Sequence, residues 1–98
     1  MTDKANMIIM AAADNVGIAL RDISAGSSAF DKQGVQLIAA EAIPQGHKIA
    51  LAAIAAEQVI IRFSMPVAKA TQAIAPGQLV HIHNVESQYL NNDHNHYE

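Results

Sequence analysis

The side chains with chemical reach in this chain are few. His81 and His83 flank Ile82. At i and i+2 on a strand, two side chains share a face with Cα atoms roughly 6.6 Å apart. That spacing lets both imidazoles converge on one metal ion or one carboxylate. A metal would need a third ligand, and His47 is the candidate. His47 and Lys48 directly follow Gly46, where a turn can set consecutive side chains and N–H groups around an anion. Lys48 could then bind a carboxylate while His47 acts as a ligand or an acid/base. Asn84 could donate its amide to substrate oxygens. Each residue also has a bland reading: two solvated histidines at a strand end, a Gly-His-Lys run that only orients its turn, and an asparagine that caps one.

No other chemistry finds its residues. Asp22, Asp31, Glu41 and Glu57 are scattered without the pairing that glycoside hydrolysis uses. No phosphate-cradling glycine loop occurs, and Ser24, Ser27 and Ser28 lack a nucleophile motif. With no cysteine there is no disulfide, thiolate nucleophile or zinc ribbon, which fits a cytoplasmic chain. Six Lys and Arg against nine Asp and Glu, with no basic cluster, argue against nucleic-acid binding. The apolar run Met7 to Ala13 is far too short to span a membrane. It reads as a buried strand instead of a signal peptide, since Asp3 and Lys4 make a poor basic leader.

The elements that must position these groups are strands. The chain has 98 residues, enough for one domain. Its 12 Ile and 6 Val outnumber 5 Leu and 4 Met, a balance that favours strands over helices. Short β-branched runs predict strands over Met7–Ala12, Val16–Leu20, Val35–Ala39, Ile49–Ala53, Val59–Phe63 and Leu79–Val85, with a turn at Asp14-Asn15. Such spacing implies an all-β barrel or sandwich, with one short helical turn near Ala68–Ala73. Residues 1–6 read as an arm, 7–87 as the domain, and the polar, Asn-rich segment 88–98 as a flexible tail carrying His94 and His96. With 19 Ala and only four aromatics, the core lacks bulk, and part of the stability is expected from a partner surface.

A repeat organises the chain. Ile23-Ser-Ala-Gly26, Ile43-Pro-Gln-Gly46, Ile54-Ala-Ala-Glu57 and Ile74-Ala-Pro-Gly77 share one pattern, with Ile spacings of 20, 11 and 20. That is the signature of a duplicated unit: Ile pins a turn to the core and Gly supplies a positive φ. Glu57 departs from the pattern, and a different turn shape is expected there.

Three segments carry a resemblance. The run from Asp14-Asn15-Val16-Gly17-Ile18 to Ile23, the motif Ile43-Pro-Gln-Gly-His-Lys-Ile-Ala-Leu51, and Ile74-Ala-Pro-Gly-Gln-Leu-Val-His-Ile-His-Asn84 together resemble the amino-terminal SAF-type domain of the altronate and galactarate dehydratases. The resemblance covers about Asn15 to Val85. It implies a small β-clip barrel, and a role as small subunit or amino-terminal domain of a sugar-acid dehydratase, a hydro-lyase inactive without a large catalytic partner. Such a reaction removes a proton α to a carboxylate and expels a β-hydroxyl, so it needs a base and a cationic group or metal. Set against the resemblance, His47 and Lys48 are the expected catalytic residues, Asn84 the substrate contact, and His81 with His83 the ligands of a divalent metal such as Fe2+. Departures at Glu57, Ser64 and Ala68, where many relatives have Gly, and at Lys69, where altronate dehydratases tend to have His, bear on the substrate. The alternative is a non-catalytic binding or assembly module for a sugar acid or a protein; a homo-oligomer joined through the Ala-rich faces is a third.

Overall fold

The structure is a computed structural model that describes residues 4–87. These residues form strands β1 (Met7–Ile8), β2 (Val16–Ala19), β3 (Ser28–Phe30), β4 (Gln36–Ile38), β5 (Lys48–Ala50), β6 (Val59–Arg62), β7 (Met65–Ala70), β8 (Leu79–Val80) and β9 (Val85–Ser87), and no helix. All pairings are antiparallel, in three sheets: β1-β2-β5-β8, β3-β4 and β6-β7-β9. This is the expected mainly β architecture of a small β-clip domain. The helical turn expected near Ala68–Ala73 is instead the end of β7, where Ala68 and Ala70 are buried. Alanine's helix propensity gives way to tertiary burial.

The sheets form three layers, and the alternation of the central sheet shows why. Val16 pairs with Ala50 and Lys48 with Val80, while Ile49 pairs with Leu79 and Met7 with Ala19. Successive side chains point to opposite faces, so the sheet separates two cores. On one face Val16, Ala50 and Val80 join Ile54, Ile60, Ala68, Ala70 and Ile74 of the β6-β7-β9 side. On the other, Met7, Ala19 and Ile49 join Ile23, Ala29, Ala39 and Ile43 of the β3-β4 side.

The repeat is the frame of both cores. Ile23 and Ile43 exchange both backbone hydrogen bonds, at 2.9 and 2.8 Å, and Ile54 and Ile74 do the same at 2.8 Å each. All four are at most 3% exposed. The N–H groups of Gly26, Gly46, Glu57 and Gly77 donate to the carbonyls of Ala39, Ala19, Ala70 and Ala50. Each of those alanines stands four residues before one of the Ile anchors and is buried. The unit is thus Ala-x3-Ile-x2-Gly, used three times, and once with Glu57 in place of the Gly. The first pair of corners maps onto the second by a shift of 31 residues. Glu57 keeps the shape of its counterparts: its φ is +76°, beside +85°, +85° and +86° at the glycines. The expectation of a different turn there is therefore corrected. The hydrogen bond to Ala70 dictates the left-handed backbone, and Glu57 adopts it while its carboxylate meets Lys69 Nζ at 3.2 Å.

Asp14 and Asn15 do more than turn the chain. Asn15 extends the ladder to β6: its Oδ1 accepts from Ile61 N (2.7 Å) and its Nδ2 donates to the Val59 carbonyl (3.0 Å). The Asp14 carboxylate accepts from Phe63 N and Ser64 N, both at 2.8 Å, and from Ala11 N at 3.1 Å. Phe63 and Ser64 close the β6–β7 hairpin with φ of +58° and +64°, the type I′ arrangement that normally takes Asn-Gly. A buried carboxylate on their N–H groups offsets that strain. Residues 4–6 are tied down as well. Arg21 donates to the carbonyls of Lys4 and Ala5, and Asn6 bonds Ser28 and Phe30. The expected tail, 88–98, lies outside the described residues.

Candidate functional site

Two of the corners bring His47 and His81 together. His47 follows the Gly46 corner and His81 follows β8. Their rings lie 4.8 Å apart, centroid to centroid, tilted by 59°. Lys48 opens β5, half-buried, opposite Val80 on the sheet. Burial, and next the Arg62 guanidinium, hold its ammonium below the ordinary lysine value. Slight desolvation of the exposed His81 ring, followed by the charges of His47, Lys48 and His83, likewise lowers its value. A neutral His81 ring at pH 7 follows, one that can accept a proton as well as donate one. Among the described residues the two ion pairs join Lys69 to Glu57 and to Glu86; neither involves Lys48.

The expected strand across Leu79–Val85 is interrupted. β8 ends at Val80 and β9 begins at Val85, with a turn over His81–Asn84 between them. Asn84 makes that turn. Its Oδ1 accepts from His81 N at 2.9 Å, its Nδ2 donates to the Leu79 carbonyl at 2.8 Å, and its own N–H reaches the His81 carbonyl at 3.0 Å. The side chain is 2% exposed. Its amide thus fixes the direction in which His81 leaves the sheet, and the spacing argument that set His81 and His83 on one strand face no longer applies. Among the described residues, no group of three or more His, Cys, Asp or Glu side chains could hold a metal ion. His47, His81 and His83 alone therefore do not fit the divalent metal that the resemblance implies, and a bound ion would need ligands from beyond these residues.

Comparison among the four corners shows why His47 is free to act. In the second copy, Gln58 Oε1 accepts from Ala55 N at 2.9 Å and Gln78 Oε1 from Ala75 N at 2.8 Å. These glutamines stand where His47 stands, and they satisfy the N–H of the residue after the Ile anchor. In the His47 corner that residue is Pro44, which has no N–H. The side chain at 47 is therefore released from closing its turn, and its ring lies against His81 with only a 3.4 Å approach of Nδ1 to the Gln45 carbonyl. This signal was present in the sequence as the set Pro44/His47, Ala55/Gln58 and Ala75/Gln78.

Residues 5–88 match the sequence family described as the altronate/galactarate dehydratase SAF domain. The chain belongs to this family. An altronate dehydratase of Bacillus subtilis is 38% identical over 74 residues, covering 76% of this chain and 15% of the relative. An altronate dehydratase of Escherichia coli is 35% identical over 88 residues, covering 89% of this chain and 17% of the relative. The alpha subunit of a (2R)-sulfolactate sulfo-lyase of Chromohalobacter salexigens is 38% identical over 48 residues, 49% of this chain and 51% of that subunit. The SAF-domain chain thus spans a small fraction of the altronate dehydratases and about half of the sulfo-lyase subunit. No helix among its described residues is long and apolar enough to cross a membrane.

Proposed function

We propose that this SAF-domain chain is the small subunit of a cytoplasmic hydro-lyase of the altronate/galactarate dehydratase type, acting on a sugar acid together with a large catalytic chain. The contact between the His47 and His81 rings, with Lys48 next to His47 in the chain, carries the reading. Lys48 matches the charge of a substrate carboxylate. That contact makes the neighbouring C–H more acidic, because negative charge grows on the carboxylate as the α-proton leaves. His47 and His81, with rings in contact, can hold or pass a proton beside it. Asn84 positions His81 through the turn. The large chain supplies the remaining acid and base groups, since the described residues of this chain hold no paired carboxylates at the patch. The name of the sulfo-lyase relative as a subunit supports the two-chain arrangement.

Turnover of altronate, galactarate and sulfolactate is the test, measured with this chain alone, with its co-purified large chain, and with His47→Ala in the complex. Activity only in the complex, with at least a tenfold loss in the variant, is expected. Full activity of His47→Ala would refute the site. Sugar-acid binding by the lone chain, with no active complex, would instead identify a binding module.

A further inference from the structure

A second repeat lies in the asparagines. In a strand, the carbonyl of one residue and the N–H of the next but one face the same side. Asn6 Nδ2 donates to the Ser28 carbonyl at 2.9 Å, and its Oδ1 accepts from Phe30 N at 2.8 Å. Asn15 bridges Val59 and Ile61 in the same way, and Asn84 bridges Leu79 and His81. Ser28, Val59 and Leu79 each stand five residues after an Ile anchor, Ile23, Ile54 or Ile74. A side-chain amide thus stands in for a neighbouring strand at these three corners. At the remaining corner, Lys48 has β8 beside it.

The His81 corner adds a carboxylate to this frame. β8 is the last strand of its sheet, and the Gln78 carbonyl bonds Ala50 of β5, so Leu79 turns its N–H and C=O to the outer edge. There Glu41 Oε2 accepts from the N–H at 2.9 Å, and Asn84 Nδ2 donates to the carbonyl. Glu41 is half-buried and braced: the preceding residue, Ala40, donates to the Gly77 carbonyl at 2.8 Å, and the buried anchor Ile43 follows. We propose that Glu41 is a positioning residue for His81: its carboxylate and the Asn84 amide frame the outer edge of β8, and that frame holds the His81 ring against His47. This rests on the catalytic reading of the two rings above and adds to it a residue from the segment after β4. His81 begins its turn directly after β8, so movement of Leu79 carries the ring with it. A carboxylate on a backbone N–H is among the stronger hydrogen bonds, and a displacement of about 1 Å is costly to a reacting group.

The test reads the ring contact directly, as the nuclear Overhauser effect between His47 and His81 ring protons in the full chain. It is expected in the parent and in Glu41→Gln, which keeps an oxygen for Leu79 N, and is expected to be lost in Glu41→Ala. Gln58→Ala, which strands a turn N–H at another corner, controls for general loosening and should keep it. In the complex with the large chain, Glu41→Ala should lower kcat about tenfold with KM unchanged, since Lys48 is untouched, and Glu41→Gln should restore the rate. Should Glu41→Ala fail to fold, Glu41→Met, which keeps the stem without an acceptor, is read in its place. A ring contact that survives in Glu41→Ala, or that is lost equally in Glu41→Gln or Gln58→Ala, overturns the positioning role, and His47→Ala still decides the proposed function. Loss of the contact in Glu41→Ala with full turnover leaves the frame standing and overturns the proposed function instead.

Discussion

The four corners provide their own controls for a quantitative test. A Cβ added to Gly26 or Gly46 meets nothing within 4 Å, so Ala at either position feels only the left-handed backbone. That strain costs about 1–2 kcal/mol, and the stiffer unfolded chain returns about 0.4–1 kcal/mol of it. Each variant should lose about 1 kcal/mol. At Gly77 the same Cβ would collide with the Ile38 carbonyl oxygen and lie 3.0 Å from Ala40 N. Ala40 N also donates to the Gly77 carbonyl at 2.8 Å, so backbone must move on both sides. Overpacking of this kind adds about 1–3 kcal/mol, and Gly77→Ala should lose about 3 kcal/mol in all. Glu57→Gly reverses the sign: relief of strain outweighs the added unfolded freedom, for a gain of about 0.5–1 kcal/mol. For a chain of this size the gain corresponds to about 2–8 °C in Tm. Urea unfolding with a common m-value reads the series. A Gly77→Ala variant no worse than Gly26→Ala would refute the backbone contact between the copies. A destabilised Glu57→Gly would refute the equivalence of the corners.

Asp14→Ala should lose about 2–3 kcal/mol, because three backbone donors lose a charged acceptor. Burial works against the Asp14 charge, but the N–H groups of Ser64, Phe63, Ala11 and Met10 outweigh it and hold the carboxyl below its ordinary value. Its stabilisation is thus complete above about pH 4 and lost as pH falls through the lower folded value; acid unfolding curves should lose this component in Asp14→Asn. His81 has the opposite charge sense. Its folded value lies below the free one, so stability should fall as pH drops below about 6.5, and His81→Gln should flatten that slope in urea midpoints taken from pH 5 to 8. Gln58→Ala and Gln78→Ala should each cost about 1 kcal/mol by stranding a turn N–H, while His47→Ala stays within about 0.5 kcal/mol of the parent; calorimetry of the three checks whether Pro44 releases position 47.

The corners were legible because a turn of fixed shape demands the same residue types each time, and Ile-x2-Gly recurs at regular spacing. The alanine four residues earlier was hidden by the abundance of Ala in the chain. Strand extents were overread where β-branched residues continue past the ladder: Met7–Ala12 contains only β1, and Leu79–Val85 is cut by a turn. Ile82, 80% exposed, completes an alternating pattern without any core to face. β3 escaped notice because Ser28–Phe30 is short and only Ala29 of it is buried. β7 was missed because its alanines suggest helix. The Asp14 clamp joins residues 49 and 50 positions apart, beyond the reach of local pattern. At the site, the pairing of His47 with a turn was legible, whereas its contact with His81 depends on how β5 and β8 meet.

Tandem construction has a consequence for how this small protein can change. With two Ile-paired units on opposite faces of one shared sheet, the folding instructions are written twice. A departure in one copy is tolerated while the other still holds the common strands. Glu57 is one such departure, a residue that the local geometry disfavours. Pro44 with His47 is another, in which a turn closed elsewhere by glutamine has been opened for a ring. Symmetry in the scaffold is thus what permits asymmetry in the surface it presents.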